Sequence, residues 1–144
     1  MSSRFSNQMK EIISYSRDEA ERLGNDYIGT EHLLLGLMRE GENTALRILK
    51  SFKVDIAEMQ KEIELAVKSD KGHQNSIPLN DSAVQTIHGA VAEAKTLKSK
   101  RVEPEHLILS ILNNSAYSSG NSIAYLANRL FNYRHIILER FLIS

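Results

Sequence analysis

Two glutamates carry the most suggestive chemistry in this chain. Glu31 and Glu105 each follow an expected helix start by one or two residues, and each is followed at once by a histidine, His32 and His106. A carboxylate there gains about 0.3–1 kcal/mol from the unpaired amides and the dipole of its helix. It can also take a guanidinium in a two-pronged hydrogen bond. Gly29 and Thr30, just ahead of Glu31, would add pliant backbone and a hydroxyl to the anion site that free helix amides make. Ahead of Glu105 stand Glu103 and Pro104. The first brings a repelling charge and the second lacks an N–H, so an anion such as phosphate should bind there poorly.

The Glu-His pairs invite a zinc reading, which their spacing disfavours. Adjacent residues on a helix point about 100° apart, and no His-x-x-x-His pairing involves either histidine. Each histidine is expected to hydrogen-bond neighbouring backbone between two units of the fold. No catalytic residue is expected either. The serines of 115–122 lie in a polar loop without a Gly-x-Ser-x-Gly elbow. A Gly-x-x-x-x-Gly-Lys-Ser/Thr phosphate cradle is absent, so no cofactor is expected in this domain and it cannot be a nucleotide-driven motor.

These residues need elements to position them, and the chain writes those elements twice. Residues 5–38 and 79–112, compared at an offset of 74, are identical at eight of 34 positions, including Ile13/Ile87, Glu19/Glu93, Glu31/Glu105, His32/His106 and Leu33/Leu107. Met9, Ile12, Ile13, Ser16, Ala20 and Leu23 form one helical stripe that ends at Gly24-Asn25-Asp26. Thr30 reads as the N-cap of a second helix, apolar nearly all round through Leu33, Leu34, Leu35, Leu37 and Met38, and stopped by Gly41. Asn43 or Thr44 opens a third helix, and Asp55 caps a fourth carrying Ile56, Met59, Ile63 and Val67. The second copy begins with a helix capped by Asn80 or Asp81, whose stripe is Val84, Ile87, Val91, Ala94 and Leu97; Pro104 then opens a helix through Leu112. Helices over 123–131 and 136–141 would complete it. The expected fold is all-α, eight helices in two pseudo-twofold four-helix repeats: residues 1–69, a linker over 70–78, and residues 79–144.

Composition agrees with a compact domain of 144 residues. Eighteen Lys+Arg balance eighteen Asp+Glu, so no overall field draws the chain to nucleic acid or to an anionic membrane. It has no cysteine and no run of eighteen apolar residues, and a soluble, cytoplasmic protein is the expectation. Lys95, Lys98, Lys100 and Arg101 cluster at a helix end, where a solvated face is the default and docking of an acidic adaptor surface the functional alternative.

The run NDYIGTEHLLLGLMREGENTA from Asn25 to Ala45 resembles the repeat signature of the Clp N-terminal domain, found ahead of the ATPase modules of ClpC, ClpA and ClpB unfoldases, with the ClpC branch nearest. The second copy departs from it, with VEPEH from Val102 where a ClpC-like repeat more often has an Ile/Val-Gly-Thr-Glu-His run. The resemblance implies a non-catalytic domain that receives protein substrates and adaptor proteins for a hexameric ATPase ring feeding a ClpP-like peptidase, the ATP and magnesium belonging to that ring. It implies phosphoarginine recognition as well, since some Gram-positive ClpC relatives use these positions for it. The carry-over falls on Glu31 and Glu105, with Gly29 and Thr30 beside the first. The alternative is a free-standing double-repeat regulator or adaptor without a motor.

Overall fold

A computed structural model describes residues 4–69 and 76–115. The helices expected over 123–131 and 136–141 lie outside the described residues. Those residues form six helices: α1 (Asn7–Arg22), α2 (Thr30–Glu40), α3 (Thr44–Ser51), α4 (Ile56–Val67), α5 (Asp81–Thr96) and α6 (Pro104–Ser115). No strand occurs among them, only two isolated bridges. None of these helices is long and apolar enough to cross a membrane.

Short polar residues set the helix starts. Ser6, Asn43, Asp55 and Asn80 each accept a hydrogen bond from the amide three residues on, at 2.9–3.1 Å. Glycines set two of the stops, with Gly24 at φ +74° and Gly41 at φ +81°. At α2, however, the cap is Gly29 and not Thr30, which is already the first helical residue. Thr30 is buried, and its hydroxyl lies 2.9 Å from Ser82 Oγ and 3.1 Å from Thr86 Oγ1 on α5. A hydroxyl held by α5 has no way to turn back over its own helix start.

Backbone hydrogen bonds also tie the two copies together. Ser6 N–H donates to Val102 O at 3.1 Å and Val102 N–H to Arg4 O at 2.7 Å; 74 residues on, Asn80 N–H donates to Ile28 O at 2.9 Å and Ile28 N–H to Pro78 O at 2.8 Å. Each bond in one pair is the other under exchange of the copies, which requires an approximate dyad between α1–α2 and α5–α6. Ile77, at the end of the stretch expected as linker, is buried with Ala20 and Ile28.

Helix α2 touches α1, α3, α4, α5 and α6, which explains why its sequence is apolar nearly all round. Leu33, Leu34, Leu35 and Leu37 are all buried, each contributing roughly 1.5–3 kcal/mol. Close contact with α1 depends on Gly36: a Cβ there would stand 2.4 Å from both Ile12 O and Ser16 Oγ. Ser16 Oγ in turn donates to Ile12 O at 2.7 Å. In the second copy the serine has changed helices. Ala90 replaces Ser16, Ser110 replaces Gly36, and Ser110 Oγ donates to Thr86 O, the counterpart of Ile12 O, at 2.6 Å.

The stripe expected to bury α5 is corrected by the structure except at Ala94, which is buried as expected. The buried residues of α5 are Ala83, Thr86, Ala90 and Ala94. Val84 is exposed, while Ile87, Val91 and Leu97 are half-buried. Small side chains admit the neighbouring helices closely, so the bulkier stripe one residue along is turned toward a groove.

Candidate functional site

The helix starts are built around their histidines. His32 stands at the third helical position of α2, where Gln or Glu often reaches back to the cap amide. Its Nδ1 accepts from Gly29 N–H at 2.9 Å, so Nε2 carries the proton and donates to Asn25 Oδ1 at 2.7 Å. Asn25 Nδ2 continues the chain to Val67 O, at 2.7 Å, at the end of α4. The Tyr27 ring meets the imidazole edge-on, with centroids 5.3 Å apart. His106 repeats the first step, its Nδ1 accepting from Glu103 N–H at 2.8 Å. Burial pushes the His32 imidazole down to about 4, with the Glu19 carboxylate opposing, and pushes His106 down as well, with Glu103 opposing. The backbone partner of each ring therefore lies in its own helix start rather than between the units. No group of three or more metal-ligating side chains occurs among the described residues.

The two glutamates occupy unlike surroundings. Glu31 is half-exposed beside Gly29, where a Cβ would stand 2.9 Å from Glu31 Oε1, 3.1 Å from Tyr27 and 3.2 Å from Asn80 Nδ2. Gly29 is extended, at φ −104°, so the glycine leaves room and does not relieve backbone strain. Glu105 is likewise half-buried. Burial pushes its carboxyl above the ordinary carboxylate range; its own backbone amide opposes the rise, Glu103 adds to it and Arg47 opposes it. Pro104 offers no amide there. At α2, the first-turn amides of Thr30 and Glu31 have no intrahelical acceptor, whereas Gly29 N–H is already committed to His32.

A second feature lies between α1 and α5. A groove of about 520 Å³ is lined by Phe5, Ile13, Leu79, Val84, Ile87 and Val91, with Arg4 and His88 also on its wall. Phe5 pairs with Leu79, and Ile13 with Ile87, under the 74-residue offset, so the groove straddles the dyad. Leu79 and Val84 are 37% and 36% exposed, the only large apolar side chains besides Leu65 to stand so far out among the described residues.

Comparison with known proteins places this geometry. The profile of the "Clp repeat (R) N-terminal domain" family matches residues 4–122. The chain belongs to the Clp N-terminal repeat family. It is 31% identical over 139 residues to the chaperone protein ClpB of Oceanobacillus iheyensis, covering 96% of this chain and 17% of that protein. It is 30% identical, with the same coverage, to the negative regulator of genetic competence ClpC/MecB of Bacillus subtilis. The chain thus spans about a sixth of the length of these curated relatives. Among solved structures, the N-terminal domain of the chaperone ClpD from Arabidopsis thaliana superposes with a TM-score of 0.66 at 22% identity, covering 97% of this chain and 93% of that one. The N-terminal domain of ClpV1 from Escherichia coli gives 0.72 at 15%, covering 93% and 85%. Identities this low show a shared fold alone.

Within this Clp N-terminal repeat pair, sequence reasoning found the duplicated helix starts and missed the groove. The signal was present in α5, which carries two apolar stripes one residue apart, small at Ala83, Ala90 and Ala94 and large at Val84, Ile87 and Val91. It also missed an ion network in the first repeat. Glu19 is 5% exposed and pairs with Arg22 at 2.9 Å and Arg39 at 3.2 Å, while Arg22 also pairs with Glu64 on α4. Burial alone would raise the Glu19 carboxyl, but the two guanidiniums hold it below its ordinary range. Charges brought together from α1, α2 and α4 leave no local motif to find.

Proposed function

We propose that this chain is the substrate- and adaptor-docking domain of a Clp-type unfoldase, holding clients in the α1–α5 groove for transfer to an ATPase ring and, through it, to a ClpP-like peptidase. The carrying observation is the groove itself: an apolar channel on the dyad, walled by Leu79 and Val84, two of the three large apolar side chains that stand exposed among the described residues. The domain does no chemistry of its own on this reading; it concentrates clients. The double variant Leu79→Asp/Val84→Asp is expected to weaken binding of reduced, carboxymethylated lactalbumin, a permanently unfolded protein, by at least about 10-fold, since charge would replace apolar contact. Fluorescence anisotropy reads the loss, and thermal melting checks that these exposed positions leave the fold intact. Undiminished binding by the folded variant would remove the groove from the account.

Phosphoarginine recognition is the finer part of this proposal. The half-exposed Glu31 carboxylate would take the guanidinium, and the first-turn amides of α2 the phosphate. Thr30 would contribute its amide rather than its hydroxyl, which is committed to α5. Glu105 is the weaker partner, beside Glu103, next to a proline and with its carboxyl pushed up by burial. Calorimetry with an arginine-phosphorylated peptide is expected to show Glu31→Ala losing several-fold more affinity than Glu105→Ala. Equal losses would refute the asymmetry, and no binding by the parent chain would remove phosphoarginine.

A further inference from the structure

The groove does not end at Val91. A second hollow of about 210 Å³ continues from it, sharing Arg4 and Val91 and walled by Lys95, Lys100 and Arg101. All four cationic side chains are exposed, and among the described residues no carboxylate lines either hollow. In a chain whose charges balance overall, this is a local concentration of one sign. Like charges lining one small hollow repel within a Debye length, and an anionic partner would relieve that repulsion.

The fold does not impose this concentration. Under the 74-residue offset, Lys95, Lys100 and Arg101 become Glu21, Asp26 and Tyr27. On the α1 side of the groove, Lys10, Ser14 and Arg17 take the places of Val84, His88 and Val91. A symmetric backbone thus carries a site with a direction: apolar on the α5 wall, with Lys95, Lys100 and Arg101 beyond one end where the related end has Glu21, Asp26 and Tyr27.

We infer that the groove and the cationic hollow are one bipartite site, taking an apolar protein segment flanked by acidic residues at the end that leaves past Val91. This rests on the groove reading above and adds the class of segment preferred. Apolar anchors fill the space over Ile13, Leu79 and Ile87, and the flanking Asp or Glu side chains meet Lys95, Lys100 and Arg4. A nucleic acid fits badly, because four cations neutralise few phosphates and the groove offers them an apolar wall.

The test uses the 144-residue chain and three labelled peptides sharing one apolar core, flanked by Asp/Glu, by Ser/Gly or by Lys. By anisotropy at low salt, the acidic peptide is expected to bind roughly 10-fold more tightly than the lysine peptide, the yield of a few partly exposed ion pairs. The gap should close at high salt. Lys95→Glu/Lys100→Glu should abolish or invert the preference while leaving the neutral peptide unaffected, and Asp26→Lys, at the dyad-related end, should leave the preference as it is. If acidic and lysine peptides bind equally and Leu79→Asp/Val84→Asp still releases both, the charge preference is wrong and the groove stands. If none of the three peptides binds the parent chain, both fall.

Discussion

Gly36→Ala is expected to cost about 3 kcal/mol of folding stability, at the upper end for overpacking a core. The added methyl would meet Ile12 O and Ser16 Oγ, each at 2.4 Å, and Ser16 N at 3.1 Å. Two of these three atoms are backbone, which cannot swing aside as the tip of a side chain can. Helices α1 and α2 would have to separate, loosening Met9, Ile12, Leu33 and Leu37 together, all of them fully buried. Urea denaturation should show a lowered midpoint with an unchanged slope. Removing one of the two closest contacts with Ser16→Ala should recover part of the loss, while the Ile12 contact keeps the rest. The control is Ser110→Ala at the related position, where the hydroxyl bond to Thr86 O is lost at a cost of about 1 kcal/mol. A Gly36→Ala loss no larger than the Ser110→Ala loss would show that the helices yield easily.

Acidification is the second large effect. His32 has zero exposure, and its folded-state value of about 4 lies below the ordinary 6.5. Between those values the unfolded chain binds the proton and the folded chain does not. The stability contributed by the neutral ring is therefore fully present above about pH 6.5 and lost as pH falls toward 4, by about 3 kcal/mol in all. His106 is shifted the same way. Glu19, held low by its arginines, extends the loss below pH 4.5, and Glu105, pushed up, opposes it. Denaturation at pH 7 and pH 4.5 measures the slope, and His32→Gln, which keeps a polar side chain without a titrating ring, should flatten it. Equal stability of the parent at both pH values would mean that burial does not hold the His32 ring neutral in the folded chain.

Much of the fold was legible because it is written locally. Asn43, Asp55, Asn80, Gly24 and Gly41 announce helix ends through side chains and backbone angles that act within a turn. The duplication was legible as repeated spacing. Thr30 misled because threonine is a good cap in isolation, whereas here α5 holds its hydroxyl and a histidine three residues after Gly29 reaches back to the cap amide. The α5 stripe misled for a related reason. Size suggests that Val84, Ile87 and Val91 belong inside, but the distance between packed helices decides, and alanine wins where helices are close.

The candidate site was half legible. Glu31 and Glu105 stand at helix starts as their spacing predicts, yet their unlikeness is sharper than Pro104 alone suggests, because burial in the packed fold pushes the Glu105 carboxyl up, with Arg47 from α3 opposing. The groove is assembled from Phe5, Ile13 and Leu79 together with α5, over more than 80 residues of sequence, and only tertiary packing brings them to one wall.

The reciprocal bonds of Ser6 and Val102, and of Asn80 and Ile28, involve main-chain atoms only. A clasp of that kind is indifferent to what projects from it, so one twin could exchange lysines for acids while the other kept its set, without unseating either. The molecule keeps the sturdiness of a matched pair and the individuality of a mismatched one.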